Sequence, residues 1–385
     1  MLPELHTDRI RAADLDAQIF ELERSLCAIR AQKALVQKRL DSYKYPVLTL
    51  PNEIISEIFV HFLPVYPACP PLTGILSPTN LTQICRKWRE LALATPLLWR
   101  AIRLAFDPTI PLPQHTQKID TWLSMSGCCP TSVEIPKLGG VQANDSRTNW
   151  ESKVLVVLAP HHGRCEHLKL KLDYLPRDRR LLPFTRPMPL LRHLDFTVKF
   201  IREDDSSDPF VFVEAPLLFS VVLDRPTATK FILPWAQLTS MTLGPLYPSE
   251  CAAVLKKTPN LVHCKLDFIA GNGSALPNLI FLRLESLILD GWHMSMDSGN
   301  FDLPALRKLQ ITEFLLRPNP CHSLASFLSK SRCKLPKICI NGPREISKDT
   351  YHAAFPSTEF SFDGKYVREG IDVASHTDPS DVEDD

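Results

Sequence analysis

The stretch "LESLIL", residues 284–289, sets apolar side chains in the frame L-x-x-L-x-L, and its reading decides how most of this chain folds. In extended backbone, successive side chains point to opposite faces, so Leu287 and Leu289 share one face and Ser286 and Ile288 the other. The frame recurs with substitutions as "CEHLKL" (165–170), "LRHLDF" (191–196), "LFSVVL" (218–223), "LTSMTL" (238–243), "LVHCKL" (261–266), "LRKLQI" (306–311) and "LPKICI" (335–340). Counted at its fourth position, the frame falls at residues 168, 194, 221, 241, 264, 287, 309 and 338, at spacings of 20 to 29 residues. "PTSVEI" (130–135) reads as an earlier strand of the same array. A proline just before several frames, in "MPLL", "APLL", "TPNL" and "LPAL", closes the preceding loop or helix. One such unit cannot bury its apolar face alone; stacked units share a continuous core and expose an extended, curved surface along the strands.

The spacing resembles that of leucine-rich repeats. No asparagine follows the strands regularly, so the array is expected to be irregular and to lack a regular asparagine ladder. The resemblance implies that residues 105–355 form a repeat-like domain that binds another protein. Target-reading residues in such a domain are the variable ones between core positions, so they stay unassigned. Arg192, His193, Lys265, Arg307 and Lys308 face outward in the frame and are read first as solvated surface.

Upstream the period changes. Residues from about 8 to 42 lack glycine and proline, and Leu15, Ile19, Leu22, Leu26, Ile29, Val36 and Leu40 recur at alternating spacings of three and four, with Lys33 at one seam position. The stretch 1–44 is therefore expected to hold one amphipathic helix. That helix either self-associates as a coiled coil or, more simply, folds back on its own chain. "YPVLTLPNEIISEIFVHFLP" (45–64) follows, with Pro51 suited to a first helical turn and Ile54, Ile55, Ile58, Phe59 and Phe62 on one face. The proline-rich "LPVYPACPPLTGILSP" (63–78) breaks that helix. Ser77 then predicts an N-cap, and Leu81, Ile84, Cys85, Trp88, Leu91 and Ala92 predict one further helix, closed by Thr95-Pro96. Leu98 and Trp99 return to the helices, and Ile102 and Leu104 alternate as in a strand.

The ordered set Leu50, Pro51, Glu53, Ile54, Ile58, Phe59, Cys85, Arg86, Trp88, Arg89, Thr95, Pro96, Leu98 and Trp99 resembles the F-box of a large fungal group. This implies an α+β / α/β chain with an N-terminal helix, a three-helix F-box over 45–104 and the irregular leucine-rich-repeat-like solenoid. By the same resemblance, Leu50, Pro51, Ile54, Ile55 and Ile58 would bind the Skp adaptor, and through it cullin and RING subunits. Phe59, Leu81, Cys85, Trp88, Leu98 and Trp99 would form the F-box core. The implied role is substrate receptor of an SCF-type cullin–RING ubiquitin ligase, with no catalytic step of its own. The alternative is an adaptor-bound scaffold without ubiquitin output.

Composition narrows the other classes. With 44 basic against 43 acidic residues, the chain carries no single-sign field to draw nucleic acid or an anionic membrane. No apolar run is long enough to span a bilayer, and the charged N-terminus does not read as a signal peptide. These features point to the cytoplasm or nucleus. The 11 cysteines lack paired spacing and read as small core residues. His161, His162, Cys165 and His167 lie close enough in sequence to suggest zinc, but Cys165 takes an inward frame position. "AGNGSALPN" (270–278) lacks phosphate-loop spacing, and no nucleophile-elbow or metalloprotease motif occurs, so no cofactor, metal or catalytic residue is expected. The acidic end, 356–385, reads as a solvated tail.

Overall fold

The structure is a computed structural model. It describes residues 2–42, 46–137, 145–200, 210–211, 214–224, 228–269, 279–291, 301–333 and 335–363. The glycine cluster 270–278 and the acidic residues from 364 onward lie outside them. The chain is a mixed α/β protein that divides into two compact units, residues 1–58 and 59–385.

In the first unit, α1 (Leu2–Ser42) forms where no glycine or proline interrupts good helix formers. Leu15, Ile19, Leu22, Leu26, Ile29, Val36 and Leu40 all stand exposed along it. Helix α2 (Asn52–Phe62) starts behind Pro51, whose carbonyl accepts the Ile55 N–H at 3.2 Å. The proline has no N–H to strand there. The division between the units falls within α2.

In the second unit, Ser77 is extended and accepts the Thr79 N–H, as the sequence leads one to expect of an N-cap. The single helix expected beyond it is two, α3 (Leu81–Ile84) and α4 (Arg86–Leu93). Cys85 breaks the run by adopting extended backbone, and its Sγ caps α4 by accepting the Trp88 N–H at 3.4 Å. Ile84 is consequently exposed, not buried on a shared stripe.

The rest is built on parallel strands. These are β1 (Ala101–Arg103), β2 (Thr131–Ile135), β3 (Cys165–Tyr174), β4 (His193–Phe200), β5 (Phe210–Val211), β6 (Ser220–Leu223), β7 (Phe231–Ile232) and β8 (Ser240–Leu246). They continue with β9 (His263–Phe268), β10 (Leu279–Ile280), β11 (Ser286–Gly291), β12 (Phe301–Asp302), β13 (Lys308–Thr312), β14 (Lys337–Asn341) and β15 (Glu359–Asp363). Eleven of them join one sheet in chain order, β1-β2-β3-β4-β6-β8-β9-β11-β13-β14-β15, while β5 with β7 and β10 with β12 form two-stranded pairs. The sheet thus starts inside the segment expected to be F-box and runs past residue 355.

The frame explains the register. Ile102, Val133, Leu168, Leu194, Val221, Met241, Cys264, Leu287, Leu309, Ile338 and Phe360 are Cα partners in turn across all eleven strands. Every one is buried, as is the row two residues on from Ile135 through Leu289 to Ile340. A one-residue slip would turn both rows out to water, at about 1.5–3 kcal/mol per large side chain. The first frame position is buried too, from Cys165 through Leu284 to Leu335. It is reached through turns such as Met188 to Leu191 and Leu303 to Leu306, which carry proline second, where its fixed φ suits the bend.

Backbone takes the place of an asparagine ladder. The carbonyl of Arg192 accepts the N–H groups of Phe219 and Ser220, that of Phe219 those of Thr239 and Ser240, and that of Thr239 those of Val262 and His263. Val262 and Glu285 repeat the pattern toward β11 and β13. The polar backbone at the starts of β6, β8, β9, β11 and β13 is thereby satisfied without side chains. The register shifts between Leu243 and Leu246, where Gly244 lies against Asp267; a Cβ on Gly244 would sit 2.6 Å from the aspartate Cβ.

The buried face is covered by the crossing segments, with α5 (Leu112–Met125) and α6 (Asp145–Leu158) supplying Ile119, Trp122, Leu123, Trp150, Val154 and Leu155. Later crossings supply helices Pro248–Leu255, Pro320–Ser331 and Lys348–Ala354. Among the described residues no helix is long and apolar enough to cross a membrane.

One buried charge cluster ties α6 to the end of β3. The Arg147 guanidinium lies 2.9 Å from both Glu151 and Asp173, and Glu151 also accepts the Asp173 N–H at 3.1 Å. All three residues are 5% exposed or less. With two carboxyls around one guanidinium, burial pushes Glu151 up to about 7, against the pull of Arg147. Such a carboxyl binds its proton more tightly folded than unfolded. Its stabilising contribution is full below 4.5 and is lost as pH rises through about 7. Glu151→Gln is expected to flatten the decline in denaturant-measured stability between pH 4.5 and about 7; an unchanged slope would show that Glu151 is ionised throughout.

Candidate functional site

Two surfaces offer themselves for binding, the open face of the sheet and the segment Leu50–Ile58. On the open face the alternate strand residues form rows across neighbouring strands. One row runs Ser132, His167, His193, Ser220, Ser240, His263, Ser286, Lys308 and Lys337; the next runs Arg103, Glu134, Lys169, Asp195, Val222, Thr242, Lys265, Ile288 and Gln310.

The proline-rich loop 63–78, expected only to break a helix, docks on the first strands. The Pro70 carbonyl accepts the Arg103 N–H at 2.8 Å, and Ser132 Oγ donates to the Pro67 carbonyl at 2.8 Å. Cys69 Sγ lies 3.2 Å from Ser132 Oγ. Burial raises the Cys69 thiol to about 11, which keeps it protonated. Tyr66 anchors the loop. Its hydroxyl donates to Glu166 Oε2 at 2.8 Å, its ring meets His167 edge-on, and the Arg100 guanidinium sits 4.0 Å above the ring centroid.

From Tyr66 the rings continue across the sheet. His167 and His193 stack at 4.6 Å with an interplanar angle of 15°, and His193 meets the Phe219 edge at 4.6 Å. Burial lowers His167 to about 4, helped by repulsion from His193. Burial also lowers His193, while Glu166 opposes that fall. Two charged imidazoles could not stack at this distance; as neutral rings they offer a flat face and a hydrogen-bonding edge. Arg192, 3.0 Å from Glu166, borders the rings.

Below them charges alternate strand by strand. Arg103 lies 3.9 Å from Glu134, Glu134 3.5 Å from Lys169, and Lys169 3.9 Å from Asp195. Half-exposed pairs like these add little stability, but they cancel any single-sign field. Toward the middle of the sheet the rows turn small and neutral at Ser220, Val222, Ser240 and Thr242, then Lys265 pairs with Asp290 at 3.4 Å. The face therefore mixes neutral rings, small side chains and charges of both signs. Of the outward residues named from the frame, Arg192, Arg307 and Lys308 are exposed, and His193 and Lys265 are half-buried.

The Leu50–Ile58 segment splits by burial. Pro51, Ile54 and Ile58 are exposed, the isoleucines at 49% and 46%, and Leu50 is half-buried. Ile55, expected beside them at the adaptor contact, is buried at 1% exposure. At about 100° per residue it stands only about 60° round the helix from Ile58, at the edge of the same stripe, so burial and not opposite phase separates it from its neighbours. Of the expected core, Phe59, Leu81, Leu98 and Trp99 are buried. Trp88 is half-buried and meets Phe59 edge-on at 4.9 Å, and Trp99 donates from Nε1 to the Ala92 carbonyl at 2.8 Å. Cys85 is half-exposed, a helix cap more than a core residue.

The four zinc-like residues part. Cys165 is buried beside Thr131, His161 faces Asp120 and Arg164, His162 bonds the Ala159 carbonyl, and His167 stands on the opposite sheet face. Among the described residues no three such side chains converge as a metal site. The ring row was not foreseen; its one signal is Tyr66 and Cys69 standing among prolines, the sort of side chains that anchor a loop.

The geometry around Tyr66 generates a direct test. Tyr66→Phe, which removes only the bond to Glu166, is expected to cost about 1 kcal/mol. Tyr66→Ala also removes the ring contacts and is expected to make the loop between Leu63 and Leu76 cleave faster in limited proteolysis. Equal cleavage of wild type and Tyr66→Ala would show that the loop is held elsewhere.

Compared with known proteins, the sequence matches no family profile and no curated protein.

Proposed function

We propose that this chain is the substrate-recognition subunit of an SCF-type cullin–RING ubiquitin ligase. Residues 45–104 act as a three-helix F-box that binds the Skp adaptor, and the strand array that follows acts as an irregular leucine-rich-repeat-like solenoid that holds a target protein. The observation that carries the reading is the segment opened by Leu50-Pro51, where Ile54 and Ile58 stay about half exposed on a short helix. Apolar side chains left on a surface in a row are best accounted for by a protein partner. The ordered match from Leu50 to Trp99 supports the identity of that partner as the adaptor.

The chain then makes and breaks no bonds. It contributes proximity, turning a chance encounter between a charged conjugating enzyme and a target lysine into a tethered one. The neutral ring row and its Arg192 border are where the array would meet its target, and such an assembly would work in the cytoplasm or nucleus.

Leu50→Ala with Pro51→Ala is expected to abolish co-purification with the Skp adaptor while leaving the circular dichroism spectrum and the thermal midpoint within a few degrees of wild type. Unchanged adaptor capture would overturn the proposal. Target turnover in a reconstituted ligase separates the receptor from an adaptor-bound scaffold, which would capture the adaptor equally well but leave target ubiquitination unchanged.

A further inference from the structure

Helix α1 carries an exposed apolar seam. Leu15, Ile19, Leu22, Leu26, Ile29, Val36 and Leu40 are between 46% and 70% exposed. Their alternating spacing sets Ile19, Leu26, Lys33 and Leu40 at the a positions of a heptad and Leu15, Leu22, Ile29 and Val36 at d. At 1.5 Å per residue the seam from 15 to 40 is about 39 Å long. A solitary helix of this kind gains nothing from its apolar stripe in water; a second helix laid along it does.

We propose that α1 pairs antiparallel with α1 of a second copy of this chain. The seam is self-complementary about a two-fold axis between residues 27 and 28. In that alignment Leu26 meets the second copy's Ile29, Ile19 its Val36 and Leu40 its Leu15, so each of these layers is apolar on both sides. Lys33 meets Leu22, where its alkyl stem covers the leucine and its ammonium reaches water.

Charge decides the direction. Antiparallel pairing brings flanking e positions together, so Glu23 faces the second copy's Arg30, twice by symmetry, and Asp16 faces Gln37. On the other flank Gln18 faces Arg39 and Ser25 faces Gln32, and no like charges meet. Parallel pairing would instead stack Lys33 on Lys33 inside the seam and set Glu23 against Gln18 and Arg30 against Ser25, leaving Arg11 with Asp16, beyond the first seam layer, as its opposite-charge pair. Each copy leaves an antiparallel pair at its opposite end.

The test is the mass of the full chain in solution by sedimentation equilibrium, expected at twice 43.6 kDa. Leu22→Asp with Leu26→Asp is expected to return the mass to a single copy. Leu35→Asp, equally exposed but off the seam, is expected to leave it doubled. Glu23→Arg is expected to raise the dimer dissociation constant about tenfold or more through repulsion from Arg30, and adding Arg30→Glu is expected to restore it. A wild-type chain that stays single, or a dimer that survives the seam variants, overturns the pairing. A dimer indifferent to Glu23→Arg overturns the antiparallel arrangement.

Discussion

The structure of the second unit depends on one constraint: an apolar residue must recur at the same height on every strand. Ile102, Val133, Leu168, Leu194 and their successors to Phe360 meet as Cα partners, and each makes sense only because its neighbours do the same. Stability in such an array is shared between adjacent rungs, so the sheet tolerates crossings that differ greatly in length and form. Long helices cross between β1 and β3, whereas the described residues between β6 and β8 include the short strand β7 and the helical turn Trp235–Gln237. The carbonyl that accepts two N–H groups at the starts of β6, β8, β9, β11 and β13 keeps those rungs in step without a recurring side chain.

The open face inherits its character from this same register. Because inward positions are fixed as apolar, the residues between them are free to vary, and they do so in blocks. The first strands carry neutral rings and alternating charges, the middle ones carry small side chains, and the last carry lysines such as Lys308 and Lys337. His167 and His193 become neighbours only because the fourth positions of their frames pair, which places the preceding residues side by side. Burial then holds both rings neutral, and that neutrality is what lets them stack.

Two of the exposed apolar surfaces, the seam of α1 and the Ile54–Ile58 side of α2, share a logic. Each helix arises from clear local signals, an uninterrupted run in one case and Leu50-Pro51 in the other. Both leave large aliphatic side chains in water, and that exposure is what the proposed adaptor and second-copy contacts rest on. A single position separates the available from the committed: Ile54 and Ile58 look out, while Ile55 between them looks in.

Much of this was legible from residues alone. The frame spacing marked every strand from β3 to β14 that joins the large sheet and its inward residues, because a period of two with one buried face leaves little freedom of register. Helices α1 and α2 and the Ser77 cap were equally legible, since their signals are local. Tertiary structure decided the rest. Cys85 takes extended backbone and caps the next helix with its Sγ, the docking of Tyr66 joins residues a hundred positions apart, and the Arg147 cluster pairs a helix with the far end of a strand. These are long-range choices among partners of similar chemistry, and no periodicity within the chain distinguishes one such partner from another until the sheet has brought them together.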